Sequence, residues 1–428
     1  MLKKLKKHIS LEPVIFLWAF GWSILKSTKV EKNLLIWKIC HLELEYNDTI
    51  CTDLTHENNT DIMAEVQIRL NNFEMVGQWL TSTPGVVYSF FVGSLSDDFG
   101  RKPCIYLPLL GSAFGTFFSL INYIWIRELP TEFFYLTGDF WYSVLGGNPV
   151  YYLGTYGYGA SISKQAKRAS LLARYDAMEL LGYVAGSLLS PSVFNSLGYY
   201  GSYLTLFFCC LAALTDLKFR VVEPVKKTEF KYEGLWKLFQ KMFVWPVKAM
   251  FQTISMKRTG NLRFLLLIQL LAYGLFWFNY QWPFSMEYNY MLLVFKDFTA
   301  DQYSYYYAVM QTLMSLFLLI AMPRIKVHES MYCVVSLALM SIAYFILPWI
   351  TNLWVYFGVN ILTVAYYGGW ASARTLFTFC VSKKEIGKIY ASVGIVAAIV
   401  PLASNPAFRQ LYNYVRFLSF HVFKMASY

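Results

Sequence analysis

The chain has 428 residues, 57% of them hydrophobic and 15% charged, with a net charge of +11. Soluble proteins carry roughly 25% charged residues, so a water-soluble enzyme or binding domain is excluded; here the charges cluster between long apolar runs. The class is an all-α polytopic membrane protein, because a bilayer core about 30 Å thick takes about 20 apolar residues per helix and leaves backbone groups no partner outside the helix.

In chain order, the basic start Met1-Leu-Lys-Lys-Leu-Lys-Lys-His8 precedes a first span over Val14–Leu25. No small-residue cleavage site follows, so this span is read as retained rather than as a signal peptide. The loop 39–72 carries seven acids and one arginine. Within it, Cys40 and Cys51 read either as a disulfide on an oxidising face or as two free thiols. The same loop holds two glycosylation acceptor patterns, at Asn47 and Asn58. Later spans are expected at 74–93, 104–126, 133–158, 171–193 and 199–217. A basic linker follows, and then spans at 262–284, 303–322, 331–350, 352–379 and 387–408.

The loops orient the chain. The amino-terminal tail, Arg101-Lys102, residues 164–174, the linker to 263, Arg324/Lys326 and residues 383–388 hold 26 of the 37 Lys and Arg. Alternating spans put all of these on one side, which the positive-inside rule makes cytoplasmic. The basic balance therefore belongs to a membrane face, with the lipid bilayer and not nucleic acid as partner. The expected organisation is an N-terminal six-helix bundle (1–217), a cytoplasmic linker (218–261) and a C-terminal bundle (262–428) with its twelfth helix short or missing. Past Leu411, Arg416, His421 and Lys424 interrupt what would be the twelfth span. The 33 tyrosines exceed what interfacial belts need, so some are expected to line a polar interior.

Between spans two and three stands Gly93-Ser-Leu-Ser-Asp97-Asp-Phe-Gly100-Arg101-Lys102. Gly93 permits close helix approach, Asp97 suits a helix amino terminus, Gly100 makes the turn, and Arg101 and Lys102 anchor the inner face. Gly111/Gly115 and Gly182/Gly186 are small-xxx-small pairs read as packing sites. Asp176 and Glu179 in span five share one helical face with Tyr183. Carboxylates at membrane depth are costly and usually face a cavity, where burial suits them to carry a proton; pairing of Asp176 with Arg174 or Arg168 is the other reading. Arg374 in span ten suits an anion, or it snorkels to the inner face. Asn279, Tyr280 and Gln281 either line the cavity or end span seven. No nucleophile–base pair, metal-ligand spacing or phosphate loop appears, so no enzyme, metal or cofactor is expected.

The Gly93–Lys102 pattern resembles the signature of the major facilitator superfamily. Within it the chain resembles solute carrier family 46, the proton-coupled folate transporter and its relatives. The resemblance runs through Glu12-Pro13-Val14, Glu128-Leu-Pro130, Asp301-Gln-Tyr303, Glu385-Ile-Gly387-Lys-Ile-Tyr390, Ala403-Ser404 and Leu411-Tyr412. It implies two bundles around a central site and an inner latch at the Gly93–Lys102 motif. It also implies proton coupling through Asp176 and a substrate contact at Arg374; Glu179 is a second coupling candidate from its spacing, and Asn148 and Tyr183 are candidate substrate contacts from their positions. Asn148 stands where the folate transporter has an aspartate, and Ser161 where relatives often carry another; no histidine lies in any span. The expected function is transport of a small organic anion of the folate, steroid-conjugate or muropeptide class, with protons as coupling ion, at the plasma or lysosomal membrane. A uniporter or exchanger, and a non-transporting receptor-like protein, remain open at this stage.

Overall fold

The computed structural model describes residues 11–27, 29–54, 59–162, 165–223, 260–282, 286–295, 298–321, 328–380 and 386–426, with isolated residues between 236 and 258. Most of the basic linker, and Asn58, lie outside the described residues. So do the side chains of 89–99 and of Arg374, although their backbones are placed in helices.

Helix α1, Glu12–Ser27, is the first span. It ends beside Lys29, whose φ of 52° swings the chain into α2, Val30–Lys38. A π turn over Ile39–Glu43 and the short α3, Asp48–Thr52, follow. Cys40 and Cys51 are joined in a disulfide. Around them Leu35, Ile39, Val66 and Leu70 form an apolar cluster, so the outer loop folds as a cap. Asn47 is exposed at the start of α3.

Helix α4, Thr60–Phe99, has 40 residues. At 1.5 Å per residue it is about 60 Å long, roughly twice the bilayer core. Its first turns therefore belong to the cap, and only its inner part is apolar. Helix α5, Lys102–Ile124, is the third span.

The fourth span departs from the continuous run expected over 133–158. A 3-10 turn over Thr131–Leu136 leads to α6, Asp139–Val144, and then to α7, Gly147–Ile162. Gly146 and Gly147 separate the two helices with φ of 116° and 60°, a region that residues with a Cβ avoid. Helix α8, Gln165–Phe219, carries spans five and six and breaks at Gly198, φ 63°. The parts on either side of the break both lie along α1: Gly186 meets Phe20 and Ser23, and Gly21 meets Leu206 and Cys209.

The second half begins with α9, Leu262–Trp282, and α10, Tyr288–Val294. Helix α11, Ala300–Leu316, starts at a capping box built by Thr299 and Gln302 and ends in a π turn over Phe317–Ala321. Helix α12 is Glu329–Ile346. Span ten was expected as one run over 352–379. It is instead α13, Leu353–Asn360, a 3-10 turn over Ile361–Ala365, and α14, Tyr366–Cys380. Helix α15, Ile386–Ala426, contains span eleven and continues past 408 without turning back. Among the described residues no twelfth helix recrosses.

Two cores result. Trp18, Tyr151, Tyr175 and Tyr203 anchor the first half, with Trp18 and Tyr151 centroids 4.6 Å apart. Phe276, Tyr366 and Phe377 anchor the second. The small-residue pairs set close helix approaches. A Cβ on Gly115 would lie 2.0 Å from the Gly138 oxygen, and one on Gly182 would lie 2.7 Å from the Phe16 oxygen.

Large apolar side chains cover the outside, with Phe345, Trp349 and Trp354 at least 75% exposed. In water such a surface would aggregate; facing lipid it is the expected exterior, with tryptophans at the helix ends. Among the described residues, five helices are long and apolar enough to cross a membrane by themselves: Lys102–Ile124, Arg174–Phe219, Leu262–Gln281, Ser330–Trp349 and Ser392–Tyr414. Others, such as α7 and α11, are shorter and mix tyrosine and polar residues among the apolar ones, because one side of each lines the interior.

Candidate functional site

Asp176, Glu179 and Tyr183 recur at helical spacing along α8, so they share the face turned to α7. Tyr152 and Tyr156 stand one turn apart on α7 and meet them, with their rings stacked at 5.8 Å. Tyr152 donates its hydroxyl to Glu179 at 2.6 Å, and Tyr183 donates to the same oxygen at 2.8 Å. Tyr156 donates to Asp176 at 2.5 Å. Asp176 and Glu179 therefore each sit in a tyrosine-lined cleft. Arg174 lies near the inner face with its Nε 3.5 Å from Glu12. Asn148 is exposed and accepts from Tyr142 at 2.8 Å, a helix turn nearer the outer end than Tyr152.

The second half has its own small cavity of about 50 Å³, lined mainly by tyrosine and methionine with a few polar groups among them. Glu287, just beyond span seven, is buried at its edge. Its Oε1 accepts from Tyr306 and from Asn360, each at 2.9 Å, and from Tyr356 at 3.3 Å. Tyr280 and Tyr367 join hydroxyls at 3.0 Å on the cavity wall. Tyr307 and Tyr367 lie within electrostatic reach of Tyr183 and Glu179. Residues of the two clefts are thus neighbours near the middle of the molecule. Asn279, by contrast, turns back on its own helix and donates to Leu275 O at 3.0 Å, while Gln281 is buried. The backbone of Arg374 lies in α14 next to buried Ser372 and Ala373.

At the end opposite the cap, the turn at Gly100 is held by a residue that the sequence did not single out. The Glu223 carboxylate, just past span six, accepts from the backbone N–H groups of Arg101 at 2.9 Å and Lys102 at 2.8 Å. It thereby occupies the amino terminus of α5, where a negative charge is favoured. Gly100 has φ 100°, and a Cβ there would strike Glu223 at 2.5 Å. Lys102 Nζ reaches Val221 O at 2.7 Å, and the Arg101 side chain packs against Gly157. The described part of the Gly93–Lys102 motif thus locks spans three, four and six of one half together. The Asp97 side chain lies outside the described residues.

Residues 71–404 match the family described as the Major Facilitator Superfamily. The chain belongs to the major facilitator superfamily. A Drosophila melanogaster protein named "Probable peptidoglycan muropeptide transporter SLC46" is 22% identical over 94% of this chain and 79% of its own length. That relative carries the name of solute carrier family 46, the family that the sequence motifs resemble. The crystal structure of the human organic anion transporter MFSD10 (TETRAN) is similar in fold, with a TM-score of 0.62 and 15% identity over 94% of this chain and 92% of that one. So is a D-xylose-proton symporter, with a TM-score of 0.59 and 13% identity over 93% and 88%.

This facilitator is closed at the end that carries the disulfide-bonded cap. Tyr288 of α10 donates to Asn33 of α2 at 3.0 Å, and Asn289 donates to Asn71 of α4 at 3.1 Å. Arg409 of α15 pairs with Glu74 of α4, and Lys32 approaches the same carboxylate at 3.5 Å. Lys29 Nζ lies over the Tyr303 ring, 4.7 Å from its centroid, a cation–π contact between the halves. Deeper, Ser304 of α11 donates to Ser187 O of α8 at 2.7 Å. All of these contacts but Lys32 to Glu74 join residues of opposite halves, so opening this end requires those to part.

Proposed function

We propose that this transporter is a solute:proton symporter for a small organic anion, working by rocking of its two halves about the central clefts. The observation that carries the reading is Glu179. It stands between two tyrosine hydroxyls at 2.6 and 2.8 Å, on the cleft that looks toward the second half. A carboxyl group so placed takes up a proton without leaving its pocket, since a tyrosine hydroxyl serves the neutral acid as acceptor as readily as it serves the carboxylate as donor. Asp176, with its own tyrosine donor one turn nearer the inner face, extends the route inward. Arg374, Asn148 and Tyr183 are the proposed substrate contacts, with Arg374 taking the anionic group.

An anion entering together with a proton meets a smaller electrostatic barrier than the anion alone. That is the physical advantage of coupling when the site itself carries carboxylates. The names of the Drosophila muropeptide transporter and the human organic anion transporter are in keeping with a polar organic solute. The test is uptake into cells expressing the chain, at acidic and neutral outer pH, of a folate, a steroid sulfate and a muropeptide. Acid-stimulated uptake of at least one is expected. Uptake that ignores pH, or no uptake by protein at the correct membrane, overturns the reading.

A further inference from the structure

We propose that the cavity of the C-terminal half is a solute subsite that holds a primary ammonium group, with Glu287 as its anchor. The inference deepens the transport reading above and rests on it.

The argument is an imbalance of hydrogen-bonding groups. Glu287 is 4% exposed, and its three donors, Tyr306, Asn360 and Tyr356, all converge on Oε1. Oε2 receives none from the described residues. Gln311 of α11, also 4% exposed, lines the same cavity; its amide nitrogen faces the Tyr307 and Tyr367 hydroxyls, and its Oε1 is buried without a partner among the described residues. A buried acceptor left unsatisfied is expensive, and a buried carboxylate without a counter-ion more so. Such costs persist where a ligand relieves them.

The available cation does not relieve them. Lys29 is the cation of the first half that senses Glu287, yet its Nζ rests on the Tyr303 ring; no ion pair to Glu287 forms among the described residues. What is missing is a group rich in donors. An ammonium offers three N–H donors and a positive charge, so one such group can serve Glu287 Oε2 and Gln311 Oε1 together. The remaining wall is aromatic and thioether, including Tyr280, Tyr367 and Met310, and ring faces favour a cation over a neutral donor. A hydroxyl would satisfy one acceptor and leave the charge uncompensated. The solute would then carry an ammonium in the second half and an anionic group toward Arg374 on α14. It is a zwitterion-bearing organic acid, not a simple anion.

The test compares amine-bearing solutes with their N-acetyl forms. Purified full-length protein is titrated with trialanine and with a lysine-terminated muramyl tripeptide, each alongside its amine-acetylated counterpart, and affinity is read from ligand-induced thermal shift. In the unmodified protein the amine form of at least one pair is expected to bind about tenfold tighter or more. Glu287→Gln keeps an oxygen for Tyr306 and Asn360 and should erase that preference while leaving affinity for the acetylated form in place. Gln311→Glu should widen the preference. Equal binding of amine and acetylated forms by the unmodified protein overturns the proposal. So does a Glu287→Gln protein that weakens both forms alike. If Glu287→Gln fails to fold, the unmodified protein and Gln311→Glu decide. A protein that takes up an organic anion with protons but binds no amine refutes the subsite alone. Amine preference with pH-independent uptake refutes proton coupling alone.

Discussion

Tyr152 of α7 and Glu179 of α8 are bound hydroxyl to carboxylate at 2.6 Å, joining span four to span five at the central cleft. The bond sets where the Glu179 carboxyl points and stabilises whichever protonation state it holds. Tyr152→Phe removes one of two hydroxyl donors and leaves the ring in place. A hydrogen bond to a charged group contributes about 1.5–3 kcal/mol. The expected outcome is a pH profile of uptake displaced toward higher pH, because the carboxylate form loses more than the neutral acid. Tyr183→Phe should displace it in the same direction. Profiles identical to that of the unmodified protein would remove Glu179 from the coupling route.

The pair of Arg409 with Glu74 closes the end that carries the cap. Arg409 is 6% exposed, so Glu74→Gln leaves a buried guanidinium without its carboxylate. Breaking one partner of a buried pair costs about 3–5 kcal/mol. Here the cost falls on the outward-closed state alone, so the population should shift toward outward-open. A cysteine introduced at Ser304, now buried, should react with a membrane-impermeant maleimide severalfold faster in the Glu74→Gln background. Equal labelling would mean that the pair does not hold the gate.

The cap depends on its disulfide. Cys40 and Cys51 are 11 positions apart. Chain-entropy reasoning gives a loop of this size about 2–3 kcal/mol of stabilisation. Cys40→Ser with Cys51→Ser should lower the melting temperature and speed proteolysis within 39–72, while the spans remain protected. Unchanged cap proteolysis would contradict the cap's dependence on the bond.

Gly115 tolerates no side chain, since its Cβ would overlap the Gly138 backbone, which cannot swing aside. Gly115→Val is expected to lower expression and melting temperature sharply. Gly394→Val is the control, because a Cβ at Gly394 meets nothing within 4 Å. Overpacking of this kind costs about 1–3 kcal/mol, and more where only backbone is in the way. Equal behaviour of the two variants would show that spans three and four do not meet at Gly115.

What the sequence disclosed, and what it withheld, follows from separation along the chain. The spacing of Asp176, Glu179 and Tyr183 is local, so their shared face was readable, and the Gly111/Gly115 and Gly182/Gly186 pairs likewise. Loop charge and hydropathy place most spans to within a few residues. The breaks at Gly146–Gly147 and at Ile361–Ala365 interrupt apolar runs without changing their hydropathy, so a hydropathy window reads through them. Glu287 sits in Met286-Glu287-Tyr288, which reads as a loop acid beyond span seven; its donors lie 19, 69 and 73 positions away. Glu74 and Arg409 are 335 positions apart. Glu223 looks like any linker acid until the turn at Gly100 is brought against it. One signal was available: acids flanked by tyrosines, as in Glu287-Tyr-Asn-Tyr290, are out of place in a linker and fit a buried cluster.

Proton movement with the solute tests the central claim most directly. Protein reconstituted in liposomes with a trapped pH dye is given, from outside, a solute that the uptake panel has identified, with no ion gradient imposed. The account predicts that the lumen acidifies as solute enters, and that Glu179→Gln protein of the same fold and content admits solute without acidification or not at all. Solute entry through the unmodified protein with no change in luminal pH would contradict it.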